Sequence, residues 1–184
     1  MAFPSISTLS TSRLTIRPVE HRDLADLLTI NGDDEVTRFL PYATWQSIED
    51  GAAWIKRMNA IAETGTGHQL VAVNGINKKV IGTVLLFRFD EASARCEIGY
   101  VIGRTYWQHG FAKEALSAVC NHAFSNLSIR RIEAEVDPNN LASNAVMQSL
   151  GFVKEGLLRR RWITKGVPTD TNIYGCLANE WNVG

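Results

Sequence analysis

The chain predicts an α/β fold, a layer of mixed sheet with helices packed against it. Three observations carry this. Leu14-Thr15-Ile16-Arg17 alternates apolar and polar residues, as a half-buried strand does. Apolar residues between Ser47 and Glu63 recur at helical spacing. From Arg95 onward, strand-like and helix-like segments alternate, the pattern of a sheet covered by crossover helices.

The elements follow in order. After the first strand, which ends at Pro18, residues 21–30 place Leu24, Leu27 and Leu28 on one helical face that stops near Gly32. Ser47 and Asp50 stand at capping-box spacing ahead of a second helix, whose apolar stripe reads Ala53, Trp54, Met58 and Ile61. Residues 69–73 and 80–88 form a hairpin around Asn77-Lys78-Lys79. A turn at residues 90–93 then leads into a strand over 95–102. Ala112, Ala115, Leu116, Val119, Ala123 and Phe124 lie on one face of a further helix. Strands at 132–136, 152–161 and 172–177 complete the sheet. A polar loop, a helix and a Gly151 C-cap lie between the first two of these.

A chain of 184 residues suits one domain, 1–184, with a sizeable core. The formal net charge is zero, so no global field draws the molecule to nucleic acid or to an anionic membrane. The one basic cluster, Arg159-Arg160-Arg161, reads better as alternating surface residues of a strand than as a phosphate contact. No apolar run approaches a membrane span, and no signal-peptide pattern opens the chain. Cys96, Cys120 and Cys176 are odd in number and sit in apolar patterns, as buried thiols do. His21, His68, His109 and His122 lack metal-ligand spacing. A reducing, cytoplasmic setting without a metal is the expectation.

The chemistry concentrates in two segments. In Tyr106-Trp107-Gln108-His109-Gly110-Phe111-Ala112, small residues Gly110 and Ala112 stand where a helix begins. A helix start exposes N–H groups without partners and carries partial positive charge, so small side chains there allow a pyrophosphate to approach the backbone. Lys113 adds a cation. The alternative is an ordinary turn; a P-loop is excluded because no Gly-Lys-Ser/Thr follows. The second segment runs from Asp137-Pro138-Asn139-Asn140 through Ser143, Asn144 and Met147 to Gly151-Phe152.

Together these segments resemble the GNAT superfamily of acetyl-CoA-dependent N-acetyltransferases. The first is similar to its Gln/Arg-x-x-Gly-x-Gly/Ala loop, with Trp107 at the Gln/Arg position and Gln108 where one branch often has Gly. The second is similar to its Asn-x-x-Ser/Ala … Gly-Phe segment. Glu97-Ile98-Gly99-Tyr100, Tyr106-Trp107, Asn140-x-x-Ser143, Gly151-Phe152-x-x-Glu155-Gly156, the opening Thr11-Ser12-Arg13-Leu14-Thr15-Ile16-Arg17-Pro18 and the closing Glu180-Trp181 resemble the ribosomal-protein N-terminal acetyltransferase branch. The resemblance implies a single GNAT-type domain. Its mixed, mostly antiparallel central sheet would be flanked by helices and splayed between the fourth and fifth strands, with acetyl-CoA in the gap. It further implies that Tyr100, Val101 and Ile102 pair through their backbone with the pantetheine arm. The backbone of Gln108, His109, Gly110, Phe111, Ala112 and Lys113 would hold the phosphates.

The resemblance also assigns the catalytic groups. Glu97, opposite Cys96 and Ile98 in the strand alternation, is the general base; the alternative is a surface carboxylate paired with Arg95 or a neighbouring strand. The superfamily's usual Tyr acid falls at Met147, which has no proton to give, and the branch substitutes Ser143; the alternative for Ser143 is helix capping. Asn140 bonds the pantetheine amide or else caps the same helix, and Asn144 is a further cofactor candidate. Glu114 reads as a first-turn dipole residue. By analogy the amine acceptor meets residues 31–45 and a hairpin loop at 163–171. Asp33, Asp34 and Glu35 there either attract a cation or solvate a loop, and Tyr42, Trp45 and Phe87 either line a pocket or belong to the core. The expected activity is acetyl transfer to a primary amine, with a protein N-terminus first and a polyamine, amino acid or aminoglycoside as the alternative. A non-catalytic acyl-CoA sensor and, more distantly, a nucleotide-binding module are the rivals. A homodimer is the branch's expectation.

Overall fold

The strands join one sheet, antiparallel throughout except at a single parallel pairing. The computed structural model describes residues 6–182. In chain order its elements are β1 (Leu9–Ser10), β2 (Leu14–Pro18), α1 (Leu24–Asn31), α2 (Asp34–Thr37), α3 (Ile48–Glu63), β3 (Gly67–Asn74), β4 (Val80–Asp90), β5 (Arg95–Ile102), α4 (Phe111–Asn126), β6 (Arg131–Val136), α5 (Leu141–Ser149), β7 (Val153–Thr164) and β8 (Val167–Leu177). The strand order is β1-β2-β3-β4-β5-β6-β8-β7, with the one parallel pairing, and the separation of the sheet's two halves, between β5 and β6. The two-residue strand β1, which the sequence pattern does not reveal, moves this gap one place along from the expected fourth and fifth strands.

Helices cover both faces of the central strands, as period-two alternation requires of strands rich in apolar residues, whereas β7 is exposed along most of its length. Leu70, Ala72, Val84, Leu86, Cys96, Ile98, Ile132 and Ala134 pack under Leu116, Val119 and Cys120 of α4 and Met147 of α5. Val71 and Val80 face the other way, against Leu27 of α1 and Trp54 and Ile55 of α3. The capping box of Ser47 and Asp50 starts α3 as expected. Its buried face, however, is Gly51, Trp54 and Ile55, while Ala53 is exposed. Gly51 turns the helix: a Cβ there would come within 2.8 Å of the Trp45 ring and 2.9 Å of Leu24, so the missing side chain lets α3 seat on both.

Two further expectations change. The loop at 163–171 is mostly strand, because β7 and β8 run on to a two-residue turn at Lys165 (φ 51°) and Gly166 (φ 82°). Positive φ at both positions is the primed turn that matches strand twist, and Lys in its first place hid the signal usually given by Asn-Gly. The three arginines do not alternate along a regular strand. Leu158 pairs with Thr171 and Trp162 with Thr169, so Arg159, Arg160 and Arg161 together oppose Asp170 alone. Arg160 has φ 49°, and its N–H donates to Asp170 Oδ1 at 2.8 Å. The basic run is a bulge. Among the described residues no helix is long and apolar enough to cross a membrane, and all three cysteines are buried and free.

Candidate active site

β5 pairs with β6 over only three residues, Arg95, Cys96 and Glu97 against Arg131, Ile132 and Glu133. Beyond Glu97 the two strands part. On its other side β5 stays paired with β4 as far as Ile102. Tyr100, Val101 and Ile102 therefore lie along one wall of the gap, and β6, running to the Asp137–Asn140 loop, forms the other.

The loop leaving β5 is held from two directions. The Trp107 indole N–H donates to the Ile102 carbonyl at 2.7 Å, folding the loop back onto the strand end. Arg13, on the turn between β1 and β2, donates from Nη1 to the His109 carbonyl at 2.9 Å and stacks over Phe111. Glu114 fixes Arg13 by accepting its Nε at 2.6 Å and its backbone N–H at 3.0 Å, and also accepts from the Thr11 and Ser12 hydroxyls. These bonds outweigh partial burial and hold the Glu114 carboxyl below its ordinary range. Glu114 is thus the anchor of the loop as well as a first-turn acid, and Arg13 is a loop-holding residue that strand-and-helix reading had no means of assigning.

Gly110 is the N-cap of α4, in the left-handed region at φ 79°, and no side chain caps this end. The first N–H groups of α4 have no intrahelical partners by construction. Gln108 is left-handed too, at φ 60°, a conformation that glycine adopts without steric cost. His109 is exposed, its Nδ1 against the Trp107 carbonyl at 2.6 Å and its ring stacked on Phe111. Phe111 and Ala112 are half-buried, and Lys113 is exposed in the first turn of α4.

Across the gap, Asn140 Oδ1 accepts from the Ser143 N–H at 3.1 Å and caps α5. Ser143 is not the cap. Its side chain instead lies near the Tyr100 phenol, which burial pushes above its ordinary value and Ser143 draws back down. The Tyr100 side chain therefore comes near Ser143 across the gap, an approach between distant segments that no local motif announces. Met147 is 1% exposed and belongs to the core. The Asn144 amide lies wholly within the protein's own network: Nδ2 donates to the carbonyls of Asp137 (3.0 Å) and Asn140 (2.7 Å). Its Oδ1 accepts from Asn172 Nδ2 and Tyr174 Oη, each at 2.8 Å. Truncating it to Ala leaves two donors of nearly fully buried residues unpaired. Asn144→Ala is expected to lower stability by about 2 kcal/mol or more, read by urea unfolding; a loss under about 0.5 kcal/mol contradicts this.

Glu97 is the most perturbed carboxyl. It is 8% exposed, and Arg88 Nη1 donates to its Oε2 at 2.6 Å. Burial pushes it up to about 7, with the Arg88 charge and hydrogen bond opposing and the nearby carboxylates Glu135 and Glu133 adding to the rise. Its partner is Arg88 on β4, since Arg95 pairs with Glu133 and Asp90. Perturbed carboxyls beside a cleft are characteristic of proton-transfer sites.

The residues expected on the acceptor side divide. Asp33 caps α2, Asp34 accepts from the Thr44 hydroxyl, and Trp45 is core, packed on Trp54. Tyr42 Oη donates to Asn31 Oδ1 at 3.0 Å. Phe87 stays half-exposed beside Arg88. The α2 region and the β7–β8 turn do meet, Lys165 Nζ donating to the Thr37 carbonyl at 2.8 Å.

This gapped sheet, glycine-led helix and capped α5 are a GNAT arrangement, and the chain belongs to that family: residues 13–153 match the acetyltransferase (GNAT) domain model. It is an N-acetyltransferase by family. It is 34% identical to an uncharacterized N-acetyltransferase of Bacillus licheniformis, covering 96% of this chain and 99% of that one. It is 28% identical to the ribosomal protein uS5 alanine N-acetyltransferase of Escherichia coli, over 96% and 93% of the two chains. Among solved structures it superposes on Mycobacterium smegmatis RimJ in complex with CoA-disulfide with TM-score 0.85 at 25% identity, over 95% and 88%.

Proposed function

We propose that this enzyme transfers acetyl from acetyl-CoA to the N-terminal amine of a protein, in the cytoplasm, with Glu97 as general base and Ser143 as the proton donor to the departing sulfur. The observation that carries the reading is Glu97: a buried carboxyl raised to about 7, at the point where β5 and β6 part. The likeness to an enzyme named for acetylating a ribosomal protein's alanine supports the acceptor class. So does the proton arithmetic. An α-ammonium ionises near about 8, within roughly one unit of this base, whereas a lysine-type ammonium near about 10.4 costs roughly 3 kcal/mol more to neutralise.

The residues divide the work as follows. The N–H groups opening α4, from Gly110 to Lys113, bind the pyrophosphate with backbone donors and the helix dipole. The β5 backbone at Tyr100–Ile102 aligns the pantetheine arm, and one of its N–H groups donates to the thioester oxygen as charge develops there. Acetyl-CoA supplies the activated acetyl group. Glu97 accepts the proton of the acceptor ammonium. The amine nitrogen bonds the acetyl carbon as the carbon–sulfur bond breaks; the Ser143 hydroxyl gives the thiolate a proton and regains one from the nitrogen as it becomes an amide. Asn140 turns its free amide N–H groups to the pantetheine while its oxygen caps α5.

The test is thiol release from acetyl-CoA with three acceptors: a peptide with a free N-terminal Ala, an N-terminally blocked peptide containing Lys, and spermidine. Turnover with the free N-terminus alone is expected. Turnover with spermidine or Lys alone overturns the acceptor, and no turnover with any amine despite cofactor binding favours an acyl-CoA sensor.

A further inference from the structure

The one register shift between β4 and β5 lies beside Glu97. Phe87 pairs with Glu97 and Asp90 with Arg95, so Arg88 and Phe89 together oppose Cys96 alone. In regular alternation Arg88 would share the face of Leu86, beneath α4. The bulge, with Arg88 in the left-handed region at φ 52°, turns it onto the face of Phe87 and Glu97 instead, while Phe89 returns to the α4 side. Bulges of this kind re-aim side chains next to active sites, and left-handed non-glycine residues persist only where the surroundings demand them. The guanidinium so placed bonds Glu97 Oε2 at 2.6 Å and Glu135 Oε1 at 3.2 Å, and lies over the Phe87 and Trp162 rings.

We propose that Arg88 is a positioning residue for the transfer reaction: its guanidinium holds the base carboxylate of Glu97 at the mouth of the gap and ties β5 to β6 through Glu135 where the strands part. This rests on the reading of Glu97 as the base. The charged groups around Glu97 are Arg88 from β4, Arg95 on β5 itself, Glu133 and Glu135 from β6, and Arg161 from β7, 3.9 Å from Glu135. Arg95 and Arg131 neutralise Glu133, while Glu135 shares Arg88 with Glu97 and also accepts from the Trp162 indole. The arrangement therefore has an opposed pair of controls: Arg88 stabilises the ionised base, and Glu135 competes for that cation while adding its own repulsion.

The experiment compares wild type with Arg88→Met, Arg88→Lys and Glu135→Gln. One measurement is the pH profile of kcat with an Ala-starting peptide. The other is the titration of Glu97 by carboxyl carbon NMR, assigned from Glu97→Gln. Arg88→Met is expected to move both the acid limb and the Glu97 midpoint up by about one pH unit or more. Arg88→Lys should restore part of the shift, and Glu135→Gln should move both down. Opposite signs from two neighbouring substitutions are not produced by loosened packing. If the midpoint moves but the limb does not, Glu97 is not the base and the proposal falls with that reading. If the limb disappears in Glu97→Gln yet neither quantity moves in folded Arg88→Met or Glu135→Gln, the Arg88 proposal alone is overturned.

Discussion

Replacing Glu97 by Gln is expected to slow acetyl transfer by about a hundred- to ten-thousandfold, the usual contribution of a positioned general base, and to leave acetyl-CoA affinity within about twofold. The amide keeps the volume and can still occupy the site beside Arg88, but it cannot accept the ammonium proton. The wild-type rate should rise with pH through about 7, because the proposed mechanism needs the ionised carboxyl and burial raises its midpoint to there. The variant should lose that limb. Stability carries the opposite sign. The folded protein binds this proton more tightly than the unfolded chain, so between the ordinary carboxyl range and about 7 the Glu97 contribution falls as pH rises. Stopped-flow or steady-state thiol release across pH 5.5–9 reads the rate, approximately bracketing the shifted midpoint. A full-rate Glu97→Gln enzyme with an unchanged profile would falsify the assignment.

Gly110→Val is expected to weaken acetyl-CoA binding by about tenfold to a hundredfold, equivalent to losing one charge-assisted hydrogen bond. Gly110 sits at φ 79°, and a Cβ there would stand 3.5 Å from an Arg13 nitrogen, so space near the protein is not the obstacle. The backbone is. A β-branched residue is an outlier at positive φ, and relaxing it rotates the very N–H groups that open α4. The same substitution should leave α4 folded, because its packing rests on Ala115, Leu116, Val119 and Cys120. Unchanged affinity in a folded variant places the phosphates elsewhere.

Much of this site was legible because it is written in local residue patterns. Gly110 at a helix start, Asn140 ahead of Ser143, and the Gly151 terminator each act within one turn of chain: the glycines take the left-handed conformation open to them, and the Asn140 side chain caps α5. Met147 could be struck from the acids by chemistry alone. What escaped depends on pairing between distant strands. The bulge that aims Arg88 exists only relative to β5, and the one formed by Arg159–Arg161 only relative to β8. In sequence, the first reads as an ordinary strand residue and the second as a basic run. The Tyr100–Ser143 contact and the Arg13–Glu114 clasp likewise join segments far apart in the chain. Lys165 hid a primed turn because its left-handed conformation is one that Lys seldom takes.

The most direct measurement is a calorimetric titration of the purified protein with acetyl-CoA, with ATP and NAD as controls. Saturable binding to acetyl-CoA in the micromolar range, absent for both controls, is the predicted result. It would place the pantetheine arm and thioester, not the nucleotide alone, in what this gap recognises. No binding, or a preference for ATP, would contradict the assignment of the β5–β6 gap and the α4 N-terminus as the acetyl-CoA site.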